Sequence, residues 1–140
     1  MEQGRILAID YGEKRIGIAI SDPLGITAQS LPTLANNSLK FEEIKKLAET
    51  KMVCEIVIGL PRRLNGTIGP AAENVQRFGD ELAKHVAIPI VYWDEWFTTS
   101  EAEKLLISAD KSRQKRKQVI DMVAAQLILQ GYLDSKPGKQ

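Results

Sequence analysis

Asp10 ends an apolar run, RILAI at residues 5–9, and is followed at once by Tyr11, Gly12 and a second apolar run at residues 15–21. An ionised carboxylate is costly to bury alone, so an acid where a buried strand leaves the core is paired, bound to a cation, or used to cap a turn. Two further acids recur in comparable settings. Asp94 and Glu95 close a short apolar run, VYW, at residues 91–93. Neighbouring strand residues point to opposite faces, so only one of them can look into a given site. Asp121 has Ala124, Ala125 and Ile128 at i+3, i+4 and i+7, which places an acid on the apolar stripe of a helix. A salt bridge to Lys117, at i−4, is the structural alternative there.

Two strand-end carboxylates and one helix carboxylate make an oxygen-rich, negatively charged set. Such donors suit hard divalent cations, Mg²⁺ or Mn²⁺, and leave room for water and phosphate oxygens. Two such ions roughly 3.5–4 Å apart activate a water and stabilise the leaving oxygen in phosphodiester cleavage. No Cys/His set suits zinc. His85, the only histidine, is expected to cap a helix C-terminus, and the lone Cys54 reads as a small core residue.

Cations stand where a phosphate backbone could meet them. Lys14 and Arg15 follow the first strand, Arg62 and Arg63 lie in a loop, and Lys111, Arg113, Lys115, Arg116 and Lys117 form a run without an acid. Such a run is a nucleic-acid contact only beside a chemical site; elsewhere it is a solvated helix start. Trp93 and Trp96 could stack on bases or simply pack.

The elements that must position these groups follow from periodicity. Residues 5–10 and 15–22 read as a hairpin, with 25–34 as a third strand whose Pro32 favours an edge or an end. A helix is expected over 38–50 with Ser38 as N-cap, then a buried strand at 55–60. Pro70 opens a helix to about His85 with Ala71, Val75, Phe78 and Leu82 inward, followed by a strand at 88–93 and helices over 98–109 and 112–133. Short turns force the first three strands to be antiparallel, while the later βα units imply right-handed parallel crossovers. A five-stranded mixed sheet of order 3-2-1-4-5, with helices on both faces, satisfies both conditions. It aligns the C-terminal ends of the first, fourth and fifth strands on one edge, where ligands of open α/β sheets bind.

Composition bounds the class. The chain has 140 residues, 44% hydrophobic and 26% charged, with net charge +1. We expect one α/β domain over residues 1–135 and a polar tail over 136–140. No apolar stretch is long enough to span a bilayer, no signal-peptide pattern opens the chain, and the single cysteine suits a reducing, cytoplasmic setting.

The string IDYGEKRIGIAISD at residues 9–22 resembles the opening motif of the YqgF/RuvX family. The likeness continues through Gly59-Leu60-Pro61, Asn65-Gly66-Thr67, Gly69-Pro70, Asp94-Glu95, Thr98-Thr99, Lys115-Arg116-Lys117, Asp121 and Ala124-Ala125. It implies an RNase H-like fold and a nuclease with Asp10, Glu95 and Asp121 as catalytic, metal-binding acids. It also implies a Mg²⁺ or Mn²⁺ cofactor and structured nucleic acid as partner, either precursor 16S rRNA during ribosome biogenesis or a Holliday junction in DNA. Two departures stand out. Asn65 replaces the family's usual Asp, and Trp96 replaces an Arg that could grip a phosphate bidentately. The competing readings are a non-catalytic RNA- or ribosome-binding factor, which the three retained acids disfavour, and an actin-like ATP-binding protein, which would need a second lobe. Resolvase chemistry would call for a homodimer with two sites.

Overall fold

The computed structural model describes residues 4–61, 69–95 and 113–136. Along the chain these form β1 (Arg5–Tyr11), β2 (Arg15–Ser21), β3 (Ala28–Ala35), α1 (Lys40–Thr50), β4 (Val53–Pro61), α2 (Pro70–Leu82), β5 (Ile90–Glu95) and α3 (Arg113–Ser135). The helix expected over 98–109 lies outside the described residues, as do Arg62 and Arg63. The strands make one sheet in the order β3-β2-β1-β4-β5. β1 pairs antiparallel with β2, and β2 with β3, while β1–β4 and β4–β5 are parallel. This is the expected mixed sheet, with Pro32 on an edge strand.

Helices cover both faces. Leu7 and Ile9 of β1 join α1 and α2 in one cluster with Ile44, Ala72, Val75, Phe78 and Leu82. Ile6 and Ala8 join Ala19, Val57, Ala125, Ile128, Leu129 and Leu133 in the other, under α3. A strand buried on both faces needs apolar residues at every position, which is why β1, β2 and β4 read as continuous apolar runs. Ala8 and Ala19 meet Ala125, and these small residues let the helix backbone approach the sheet closely.

Four local expectations are corrected. Ser38 does not cap α1; the N-cap position is Leu39, without a side-chain bond, and Asn37 Oδ1 accepts the Leu39 N–H at 2.9 Å in an Asx turn. Ala71 is exposed, and the inward positions of α2 begin at Ala72. Cys54 is exposed because the β1–β4 register slips there: Arg5 pairs with Val53 but Ile6 with Glu55, leaving Cys54 as the extra residue of a bulge. His85 does not cap α2 with its ring, which instead stacks on Phe41 at 4.8 Å with an interplanar angle of 1°.

α3 also closes the exposed start of β3. Gln130 Oε1 accepts the Ala28 N–H at 3.0 Å, its Nε2 donates to Ile26 O at 3.0 Å, and Gln126 Nε2 donates to Ala28 O at 3.1 Å. Side chains thereby occupy backbone groups that an edge strand otherwise offers to other chains. No described helix is long and apolar enough to cross a membrane.

Just past α1 and its C-cap Lys51 stands Met52, the one described non-glycine residue with positive φ, at 57°, and it is 72% exposed. A β-carbon is disfavoured in that left-handed conformation, which helix ends usually give to glycine. Met52→Gly is therefore expected to raise stability by about 0.5–1 kcal/mol, since strain is relieved and no buried contact is lost. Urea denaturation would check this; an unchanged or lower midpoint would show that Met52 is not strained.

Candidate functional site

The parallel trio β1, β4 and β5 brings three chain segments to one edge. Asp10 is the penultimate residue of β1, half-buried, and pairs in register with Gly17. Ile6 and Ala8, two positions apart on the same strand, both pack under α3, so alternation sends Asp10 to the α3 face and Tyr11 to the face of α1 and α2. On β5, Tyr92 belongs to the cluster under α1 and α2, and Trp93 to the cluster under α3. Asp94, which is exposed, is thus on the face away from α3, and position 95, in register with Pro61, falls on the α3 face.

The course of α3 is fixed by contacts near its C-terminal end. The Tyr132 hydroxyl donates to Glu55 Oε1 at 3.0 Å, and Lys136 Nζ lies 3.7 Å from the same carboxylate. Glu55 pairs with Ile6 near the start of β1. Gln126 and Gln130 hold the same end of the sheet, where Ala28 of β3 pairs with Ser21. Followed backward from Tyr132, α3 therefore runs toward the C-terminal edge of β1. At about 1.5 Å per residue, position 121 lies about 16 Å from the level of Tyr132. Asp10 lies about 13 Å beyond Ile6, and position 95 about 20 Å beyond the level of Glu55, at about 3.3 Å per strand residue. The three positions thus lie toward one edge of the sheet, spread over about 7 Å along the strand direction. Asp121 itself is one helical turn before Ala125 and two before Ile128, both buried against the sheet.

The turn after β1 is held rigidly. A β-carbon on Gly12 would lie 2.5 Å from the Arg15 carbonyl oxygen, so only glycine fits without a shift. Asn36 clamps the turn from β3's end, donating its Nδ2 to Gly12 O at 2.8 Å while its backbone N–H donates to Lys14 O at 3.0 Å. Lys14, exposed, and Arg15, half-buried, are carried at the same edge. Lys115, Arg116 and Lys117 fall in the first turns of α3, the end that points toward this edge. Arg62 and Arg63 lie outside the described residues, as does Trp96.

Trp93 packs rather than presenting a free ring. Its indole meets Tyr132 edge-on at 5.7 Å and covers Gly131, whose missing side chain makes room for it. Burial pushes the Tyr132 hydroxyl above its ordinary pKa, and its bond to Glu55 adds to this, so it stays a neutral donor at physiological pH. Sequence reasoning missed this brace and the glutamine clamp. Gln126 and Gln130 are four residues apart, on one helix face, which was the available signal.

Comparison with known proteins identifies the family and the fold. A relative from Carboxydothermus hydrogenoformans, named "Putative pre-16S rRNA nuclease", is 56% identical over 134 residues, covering 94% of this chain and 97% of that one. A relative of the same name from Bacillus cytotoxicus is 49% identical over 136 residues, covering 94% and 99%. Among solved structures, T. thermophilus RuvC in complex with a Holliday junction superposes with a TM-score of 0.54 at 10% identity, covering 96% of each chain. The Fowlpox virus resolvase bound to junction DNA gives 0.56 at 9% identity, covering 94% and 97%. At such identities these two show the shared RNase H-like fold. The family model described as RuvX, Holliday junction resolvase, matches residues 4–135, and with the close relatives it establishes that this chain belongs to the RuvX family.

Proposed function

We propose that this protein is a metal-dependent nuclease that hydrolyses phosphodiester bonds in precursor 16S rRNA. The observation that carries the reading is the placement of Asp10 at the C-terminal edge of a parallel strand trio, the edge where β5 ends and toward which the start of α3 runs. The relatives at 49–56% identity, which bear the pre-16S rRNA nuclease name, support the substrate. Cleavage of junction DNA is the second reading, favoured by the family model's description and by a fold shared with junction-bound resolvases.

Asp10, Glu95 and Asp121 are the proposed metal ligands and catalytic acids. The set is all carboxylate, which fits Mg²⁺ or Mn²⁺ and excludes the thiolate and imidazole sites of softer metals. Bound there, two divalent ions would supply an activated water and neutralise charge on the leaving oxygen. The chain's own residues do the rest. Asp10 is held by a strand locked in the core and cannot retreat from the substrate. The phosphates are gripped by Lys14 and Arg15 on the clamped turn, by Arg62 and Arg63, and by Lys115, Arg116 and Lys117 at the start of α3. Hydrolysis leaves a phosphate monoester on one side of the break and a hydroxyl on the other.

Asp10→Asn, Glu95→Gln and Asp121→Asn should each cut cleavage by about 100-fold or more while leaving the fold intact, since each removes a charge without changing shape. Cleavage of precursor rRNA ends, four-way junctions and plain duplexes with Mn²⁺ or Mg²⁺ measures this and ranks the substrates. Full activity in Glu95→Gln with an inactive Asp94→Asn would show that the wrong neighbour was chosen.

Thermal melts separate a metal site from a salt bridge at Asp121. Clustered carboxylates repel each other without metal, so Asp121→Asn should melt at or above the wild type in chelator and gain less from Mn²⁺. If Asp121 instead pairs with Lys117 in a buried bridge, the variant should lose about 3–5 kcal/mol.

Replacing Lys115, Arg116 and Lys117 with alanine should weaken binding and flatten its salt dependence. The log–log slope should fall by about 0.7–0.9 for each phosphate contact removed. An unchanged slope would make the run a solvated helix start.

A further inference from the structure

Directly behind Asp10, on the opposite face of the sheet, an aromatic column begins. The Tyr11 ring packs on Phe78 at 4.5 Å, Phe78 on Phe41 at 5.5 Å, and Phe41 on His85 at 4.8 Å. Phe78 and Phe41 each have two ring neighbours among the described residues. Tyr11 has one, so the column ends there, at the strand edge shared with the candidate site. A cleft of about 280 Å³ opens at this point, between the turn after β1, the start of α1 and one stripe of α2.

The lining says what the cleft takes. Asn74, Arg77, Phe78 and Glu81 line it and stand at i, i+3, i+4 and i+7, so α2 presents them on one face. Lys40 and Arg77 share the cleft with Glu13 and with Glu81, whose carboxylate also meets Lys84 at 3.4 Å, so two acids stand where a phosphate or other simple anion would have to sit. Asn74 and Arg77 make no side-chain hydrogen bond or ion pair within the described residues, and an amide offers both donors and an acceptor. The volume is below the roughly 300–1,000 Å³ of pockets for drug-sized ligands, so it suits one planar ring system. A flat, neutral ligand with mixed donors and acceptors on its edge and a π-face for Tyr11 is a nucleobase.

We propose that this cleft receives an unpaired base of the substrate strand, stacked on Tyr11 and read at its edge by Asn74 and Arg77. The inference rests on the nuclease reading for its substrate class. Tyr11 and Asp10 are adjacent, with Cα atoms about 3.8 Å apart, so a strand whose phosphate lies at Asp10 can turn a neighbouring base over the edge of β1. Phosphate contacts hold any sequence; this cleft gives the enzyme a preference among bases and for single-stranded character beside the cut.

The test uses the full chain in chelator, where cleavage is silent, and short single-stranded oligoribonucleotides of A, G, C or U followed by fluorescence anisotropy. Wild type should discriminate between the best and worst homopolymer by at least about fivefold, and 2-aminopurine within the preferred strand should be quenched on binding. Asn74→Ala, at an exposed helix position, should flatten the discrimination without changing the salt slope. Tyr11→Leu, which keeps an apolar side chain, should abolish the quench. Equal binding of all four homopolymers, or discrimination unchanged in Asn74→Ala, would overturn the proposal. Adding Mn²⁺ to the same wild-type mixtures and to structured precursor RNA tests the nuclease reading separately. Base discrimination without cleavage would leave the cleft standing and remove the nuclease, whereas cleavage without discrimination would do the reverse.

Discussion

A strand buried on both faces can meet water only at its ends, and the whole molecule is arranged around one such strand. β1 has β2 and β4 on its flanks, α1 and α2 over Leu7 and Ile9, and α3 over Ile6 and Ala8. Its register is fixed on both sides by hydrogen-bonded neighbours, and a slip of one residue would exchange its two apolar faces. Asp10 is therefore held by the core. The Asp10 carboxylate is the first polar group beyond the closed apolar layer of β1.

The same rigidity is spread to the other segments by different means. β5 follows the register of β4 from Ile90 to Glu95, so its last residues arrive level with the end of β1. α3 is aligned by small residues that let it lie close to the sheet and by Tyr132, Lys136 and two glutamines that pin its far end. The polar anchors stand between about one and four helical turns from the acid. An error in the anchoring would be magnified along that length, which is reason enough for several anchors.

Much of this is legible in the sequence, and the limits have physical causes. Strand order follows from short turns before residue 38 and helical crossovers after it, and a long, strongly periodic chain leaves few alternatives. The stripe of Ala124, Ala125 and Ile128 shows which face of α3 is buried. The choice within Asp94-Glu95 is harder, because VYW is apolar on both faces and carries no alternation to read; the phase is seen only once Trp93 is found against α3. Cys54 lies within an apolar run yet is exposed, because a bulge breaks the strand's alternation there. Asn37 rather than Ser38 orders the start of α1 because both can cap and only the backbone decides between them. His85 follows a helix end, but its ring stacks on Phe41, 44 positions earlier. Long-range partners of this kind leave no local trace.

The glutamine clamp ties the protein's completion to its synthesis. Ile26 and Gln130 are 104 residues apart in sequence, yet the first relies on the second to occupy its backbone oxygen. At about 5–20 residues per second, a ribosome leaves the start of β3 uncovered for roughly 5–20 s after making it. For that interval the nascent sheet has an open border, and a neighbouring chain at the same stage offers a matching one. Pro32, within the same strand, lacks the N–H that such pairing would use. The proline thus guards the border early, and the glutamines seal it when the last helix arrives.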